Sequence, residues 1–412
     1  MNDSHVTGLS GNEIFCLDDL GFTPGDIVVG NSVHALGFGR AIGSGARGII
    51  GGEITQLTSL LTEGRQAAIT RLEGEVKQVN GVGVSGVTTE IISNGDRIEF
   101  LSIGSVLHST QSTQSFSSSS DGQELYCQID AGYSPLRFVF GNIAYSIGLA
   151  RGIMGWFRQW RRGEVPQFTE IFTTTRNAAL ERLVAEAKEA GANSIVNIRT
   201  QIMPIAGAGY GMQEMIMIGT ASYNADLPAE YKNIPVTSDL LNQELWSMTK
   251  KGYAPLKLLM GTSVYSLGFI GGVTSFFKSF RQGEIPELTK LVYEAREKSI
   301  SKIKAEAATI GADDVVGTKI YLYDLGGGLI EVLAIGTAMK KNSSVHTHSN
   351  SLFSQAIIND KDTFTDTTYG GVTTLSRQSG KSGRGMIGGF VTLVIFIVYL
   401  VFIIWIGSSG HH

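Results

Sequence analysis

Metal binding, thiol chemistry and nucleophilic catalysis each need particular side chains gathered at short range, and this sequence supplies few of them. The histidines are His5, His34, His108, His346, His348, His411 and His412, so residues 122–341 contain none. Cys16 and Cys127 stand 111 positions apart within similar local sequence, where a third similar stretch has Ser247. That pattern reads as a small buried strand residue copied by duplication, because a metal site needs its ligands clustered. His346-Thr347-His348 reads as a solvated loop. No G-x-S-x-G elbow precedes a helix, and Gly37-Phe38-Gly39 and Gly207–Gly211 lack the spacing of a complete phosphate-binding loop. The residue types therefore predict a non-enzyme with no catalytic centre, no cofactor and no metal held by protein ligands.

Basic and aromatic residues interleave in two matched places, Phe157-Arg158-Gln159-Trp160-Arg161-Arg162 and Phe277-Lys278-Ser279-Phe280-Arg281-Gln282. They read as packing under the helix with solvated basic tips, as a subunit interface, since Trp, Phe and Arg favour the centres of protein contacts, or as a surface for lipid or nucleic acid. Just before them run uncharged, Gly-rich stretches, Leu136–Ala150 and Leu258–Phe277. Stretches this apolar exceed what one small domain covers, which predicts subunit contacts there. The candidate interface residues are Tyr145, Phe157, Trp160, Arg161, Tyr265, Phe269, Phe277, Phe280 and Arg281. The second stretch is also long enough to raise a membrane span, although its glycines and serines favour burial in protein.

The elements that must position these residues come in triplicate. Glu13, Gly21, Gly30 and Gly52 recur as Glu124, Gly132, Gly141 and Gly163, and again as Glu244, Gly252, Gly261 and Gly283. Each copy then holds one long amphipathic helix, in the third from Pro286 to about Ile310. Gly311, Gly191 and Asn80 close the three helices as residues suited to a left-handed cap. Two strands follow, the last being Arg97–Val106, Gln213–Ala221 and Leu329–Ala338, with Glu99, Glu214 and Glu331 at matching positions. Their alternation is only partial, as expected where both faces are covered. The fold class predicted is α+β, three tandem sheet-plus-helix domains of a small sandwich type.

The copies resemble the YbjQ-like family, a name associated with heavy-metal binding. The resemblance rests on the GNIAYSIG and GTSVYSLG stretches, the GEVP and GEIP segments before the helix, the AGAN and IGAD helix exits, and the IGTA of the last strand. The first copy departs, with Glu53-Ile54-Thr55 where the others have proline. The resemblance implies a small α/β domain that self-associates, commonly into five-membered rings, and no defined activity.

Of the 412 residues, 42% are hydrophobic and 17% charged, with a net charge of −4, which argues against bulk electrostatic binding of nucleic acid. Met386–Ile406 runs 21 residues without a charge, enough to cross a bilayer's hydrocarbon core. Met386, Phe390, Ile395, Tyr399 and Trp405 mark this anchor. Arg377, Lys381 and Arg384 precede it, which places the repeats on the cytoplasmic side. Gly407–His412 reads as an affinity-tag remnant, making the protein tail-anchored. The boundaries expected are repeats at 10–108, 122–224 and 239–341, a Ser/Thr-rich linker at 109–121, a connector at 225–238, and a flexible tether at 342–385. These features predict a membrane-anchored homo-oligomer whose partners are itself and the bilayer, forming a ring- or cage-like scaffold. The other reading is a membrane-tethered binder of a metal or small ligand.

Overall fold

The computed structural model describes residues 5–35, 52–94, 97–110, 114–146, 162–205, 212–266, 286–326 and 329–358. The chain divides into two units, Met1–Thr368 and Tyr369–His412, and the described residues all lie in the first. The anchor residues 386–406 and the charges Arg377, Lys381 and Arg384 lie outside the described residues, as do Phe157, Trp160, Arg161, Phe269, Phe277, Phe280 and Arg281. Among the described residues no helix is long and apolar enough to cross a membrane.

Each repeat opens with a nine-residue helix: α1 (Gly11–Asp19), α3 (Gly122–Asp130) and α5 (Asn242–Lys250). A long strand follows: β1 (Thr23–Ala35), β6 (Ser134–Ser146) and β11 (Tyr253–Ser266). Then come the long helices α2 (Thr55–Gln78), α4 (Pro166–Glu189) and α6 (Pro286–Thr309). Each long helix leads into an antiparallel pair: β3 (Gly83–Asn94) with β4 (Arg97–His108), β8 (Ser194–Pro204) with β9 (Met212–Tyr223), and β12 (Asp314–Gly326) with β13 (Leu329–Lys341). The helix caps match expectation, with Asn80, Gly191 and Gly311 at φ of 54°, 75° and 66°.

The opening segments correct the sequence reading. Cys16 and Cys127 sit on α1 and α3, not on strands. Both helices start with a capping box, in which Ser10 and Glu13, and Asp121 and Glu124, satisfy each other's backbone N–H groups. This stops the chain in a helix before the strand begins.

Glycine sets the distance between helix and sheet. A Cβ on Gly141 would lie 2.1 Å from the Ala179 carbonyl oxygen of α4, and one on Gly261 would lie 2.0 Å from that of Ser299 in α6. Only a residue without a side chain lets the strand approach the helix backbone this closely.

The repeats exchange short strands. The two-residue strand β2 (Gly52–Glu53) of repeat 1 pairs with β6 of repeat 2, and β7 (Gly163–Glu164) of repeat 2 pairs with β11 of repeat 3. In the other direction, β5 (Phe116–Ser117) and β10 (Val236–Thr237), which lead into repeats 2 and 3, lie parallel to β3 and β8 of the preceding repeat. The resulting strand orders are β1-β4-β3-β5, β10-β8-β9-β6-β2 and β12-β13-β11-β7.

Two segments expected to be loose are packed. Ser117, Ser118, Ser119 and Ser120 of the Ser/Thr-rich linker are buried, and Thr220 Oγ1 lies 3.0 Å from the hydroxyls of both Ser118 and Ser119. Small hydroxyl side chains fit beside a parallel edge where larger polar residues would not. The first part of the tether also folds back. Phe353 packs at a tilt against Tyr126 of α3 and edge-on against Phe15 of α1, Ser349 Oγ donates to Asp130 (2.8 Å), and Gln123 Nε2 donates to the Ile358 carbonyl (2.7 Å).

Candidate functional site: the junctions between repeats

The uncharged strands that sequence reading assigned to contacts between subunits find their partner inside the chain. β6 is covered on one face by its own helix α4 and on the other by α2 of the preceding repeat, and β11 is likewise shared by α6 and α4. Residues 258–266 therefore lie in a central strand paired to β13, not in a membrane span. Tyr145 and Tyr265 are buried within the chain rather than on an outer surface. Tyr145 Oη donates to Gln213 (2.7 Å) and accepts from Arg176 Nη1 (3.0 Å), while Tyr265 pairs with Glu164 in the β7 contact.

Each junction centres on a buried ion pair. In the first, Arg65 Nη2 of α2 donates to Glu214 Oε2 of β9 (2.6 Å), with both side chains fully buried. Asn142 Nδ2 of β6 donates to the other oxygen, Oε1 (3.0 Å), and Thr62 Oγ1 of α2 donates to Asn142 Oδ1 (2.7 Å). In the second, Arg176 Nη2 of α4 reaches both oxygens of Glu331 in β13, at 3.0 and 2.8 Å. Thr262 stands where repeat 2 has Asn142, so no amide competes and the arginine takes the whole carboxylate. Burial pushes the Glu331 carboxyl above its usual range, an effect only partly offset by the Arg176 charge.

A threonine and a second cation complete the pattern. Ala144 N donates to Thr58 Oγ1 (3.0 Å), and Val264 N donates to Thr169 Oγ1 (2.9 Å). Arg182 of repeat 2 pairs with Glu53 of repeat 1 (2.6 Å), and Lys302 of repeat 3 lies 3.6 Å from Glu164 of repeat 2. Helix n thus docks on sheet n+1, and sheet n+1's own helix reaches back. Glu99, Glu214 and Glu331 stand out in the sequence. The arginines that pair with Glu214 and Glu331 do not, although Arg65 and Arg176, with Arg296 at the third matching position, obey the same offsets as the glycines.

A metal centre does not fit the described residues. None of their His, Cys, Asp and Glu side chains form a group of three placed to hold an ion. Cys16 and Cys127, expected in separate domains, share one apolar cluster where α1 packs on α3. Burial pushes the Cys16 thiol up to about 12 and raises Cys127 as well, which disfavours the thiolate that coordination requires. The carboxylates nearby are already engaged. Glu13 accepts from the backbone N–H groups of Ser10 and Gly122, and Glu124 pairs with Arg199.

Comparison with known proteins agrees with the triplicate pattern. Residues 24–105, 132–224 and 249–342 each match the YbjQ family, described as "putative heavy-metal-binding". A Mycobacterium tuberculosis protein named as an encapsulin nanocompartment protein is 30% identical over 239 residues, covering 57% of this chain and 89% of the relative. Two proteins named only as UPF0145, from Thermosipho africanus and Thermotoga maritima, are 37% and 36% identical over 86 residues each. Those stretches cover 21% of this chain and 77% and 78% of the relatives, the length of a single repeat. With three matched segments spanning more than half its length, the chain belongs to the YbjQ family.

Proposed function

We propose that the protein is a self-assembling scaffold without a catalytic step, in which copies of the chain join into a ring- or cage-like structure on a membrane. One observation carries this reading: the same repeat-to-repeat junction is built twice inside the chain, from the same residue types at the same positions. A surface that associates with its own copy within a chain is suited to do so between chains. The name of the Mycobacterium tuberculosis relative, an encapsulin nanocompartment protein, points the same way. Met386–Ile406 would hold the assembly to the bilayer, and Arg377, Lys381 and Arg384 would keep the repeats on the cytoplasmic side. Many anchors on one assembly bind far more tightly than one.

The test is the mass of detergent-extracted protein by light scattering, together with flotation on lipid vesicles. A multiple of the chain mass is expected, with flotation lost when residues 386–412 are removed. A single-chain mass would overturn the scaffold, and flotation of the truncated chain would overturn the anchor.

A further inference from the structure

Two internal junctions use up two helix faces and two sheet faces, leaving one of each unmatched. The unmatched sheet face belongs to repeat 1. Along β1, Val29 and Val33 are 41% and 57% exposed, whereas their counterparts in β6, Phe140 and Ala144, are buried under α2. β4 alternates between buried and half-buried residues, while its counterparts β9 and β13 are buried almost throughout. Glu99 on this face keeps the bond from Asn31 Nδ2 to its Oε1 (3.2 Å), the counterpart of Asn142 to Glu214. No arginine answers it among the described residues. Arg71, counterpart of Arg182, bonds the Asn31 carbonyl and no carboxylate among the described residues.

The unmatched helix face belongs to α6 of repeat 3. Leu288 and Tyr293 are 37% and 61% exposed, while Leu57 and Phe168, the counterparts of Leu288, are buried. Thr289 stands where Thr58 and Thr169 cap the next repeat's strand, and it is exposed. Arg296 stands where Arg65 and Arg176 reach their buried glutamates, and it too is exposed without an ion pair among the described residues.

We infer that α6 of one chain docks on the β1–β4 face of a second copy, with Arg296 pairing with the partner copy's Glu99. The charges are complementary, and the contact continues a junction already formed twice within the chain. It also runs with the same polarity as those two. β3 and β8 each receive a short parallel strand from the segment leading into the next repeat, while β12 receives none among the described residues. The matching position ahead of repeat 1 is the segment at Val6, whose side chain is 70% exposed. The contact is heterologous, head to tail, so copies add in one direction until the rotation closes a ring. Closure would bury the chain's last free junction surfaces. This inference rests on the reading of the chain as self-assembling and names the surface responsible.

The experiment is charge reversal in the full, detergent-extracted chain, with mass read across a concentration series. Glu99→Arg and Arg296→Glu should each weaken association by about 30-fold or more, the penalty of a buried contact that now opposes like charges. The double variant should regain assembly. A one-to-one mixture of the two single variants should regain association too, because alternating copies join opposite charges at each junction between them. This mixture keeps the test sound if either variant alone looks merely disordered, since misfolded chains would not rescue each other. If the wild type assembles and both single reversals assemble equally well, the assigned surface is wrong while the scaffold stands. A wild type that stays a single chain would overturn both.

Discussion

Arg176 and Glu331 are buried together at the second junction, and removing water from two charges costs several kcal/mol per ion before their attraction repays it. Such a pair adds little net stability over a well-packed apolar substitute but strongly penalises misalignment. Register between repeats, more than stability, is what it specifies. Arg176→Met alone should therefore lower unfolding stability by about 3–5 kcal/mol, because Glu331 is left buried without the cation that offsets its desolvation. Adding Glu331→Leu should restore most of that loss, read as the denaturant midpoint at constant slope. If the double variant is as unstable as the single one, the pair contributes directly to stability and not only to alignment. The glutamates are legible in the sequence because they lie in a strand motif repeated almost unchanged. The arginines are harder to see, since they sit among ordinary polar helix residues and only the offset to Arg65 and Arg296 marks them.

At the scale of elements, the long helices, their left-handed caps and the closing strand pairs are legible because periodicity and glycine placement are local signals. The opening helices α1 and α3 are not read correctly, although Ser10 with Glu13 and Asp121 with Glu124 have capping-box spacing. Nine residues give little room for a helical period, so cysteines that face a helix–helix contact look like strand residues. Composition misleads again in the two loose-looking segments. Their burial depends on partners far away in sequence, Thr220 for the serines and Tyr126 for Phe353. Residues 342–358 act as a strap from the end of β13 across α5 and α3 to α1, with Lys250 Nζ donating to Asn350 Oδ1 (3.2 Å) along the way. Phe353→Ala removes the ring that wedges between Phe15 and Tyr126. It should lower stability by about 3 kcal/mol, toward the lower end for a large aromatic truncation because Phe353 is only partly buried. It should also speed proteolysis after residue 341 while leaving the β9 and β13 cores resistant. Unchanged cleavage there would mean that the strap is held by its hydrogen bonds alone.

At the scale of the whole molecule, α2 and α4 each serve two sheets, so the three repeats form one continuous stack rather than three separable domains. A linear stack with nearest-neighbour contacts is weakest at its ends, because each end repeat lacks one neighbour. In this chain those ends are β1–β4 of repeat 1 and α6 of repeat 3, the same faces that carry Glu99 and Arg296. Hydrogen exchange reads this directly, since protection follows the local cost of opening. In assembled protein, amides of β1 and α6 should exchange slowly. Under conditions that hold the Arg296→Glu variant as single chains, both elements should lose protection together, while β9 and β13 stay protected in either state. Loss at only one of the two elements would show that the faces do not meet each other. Loss spread evenly through all three repeats would show that assembly stabilises the whole chain rather than completing its ends. Joint loss at β1 and α6 alone is the pattern that a head-to-tail junction requires, and the charge-reversed mixture separates it from contacts of each face with its own copy.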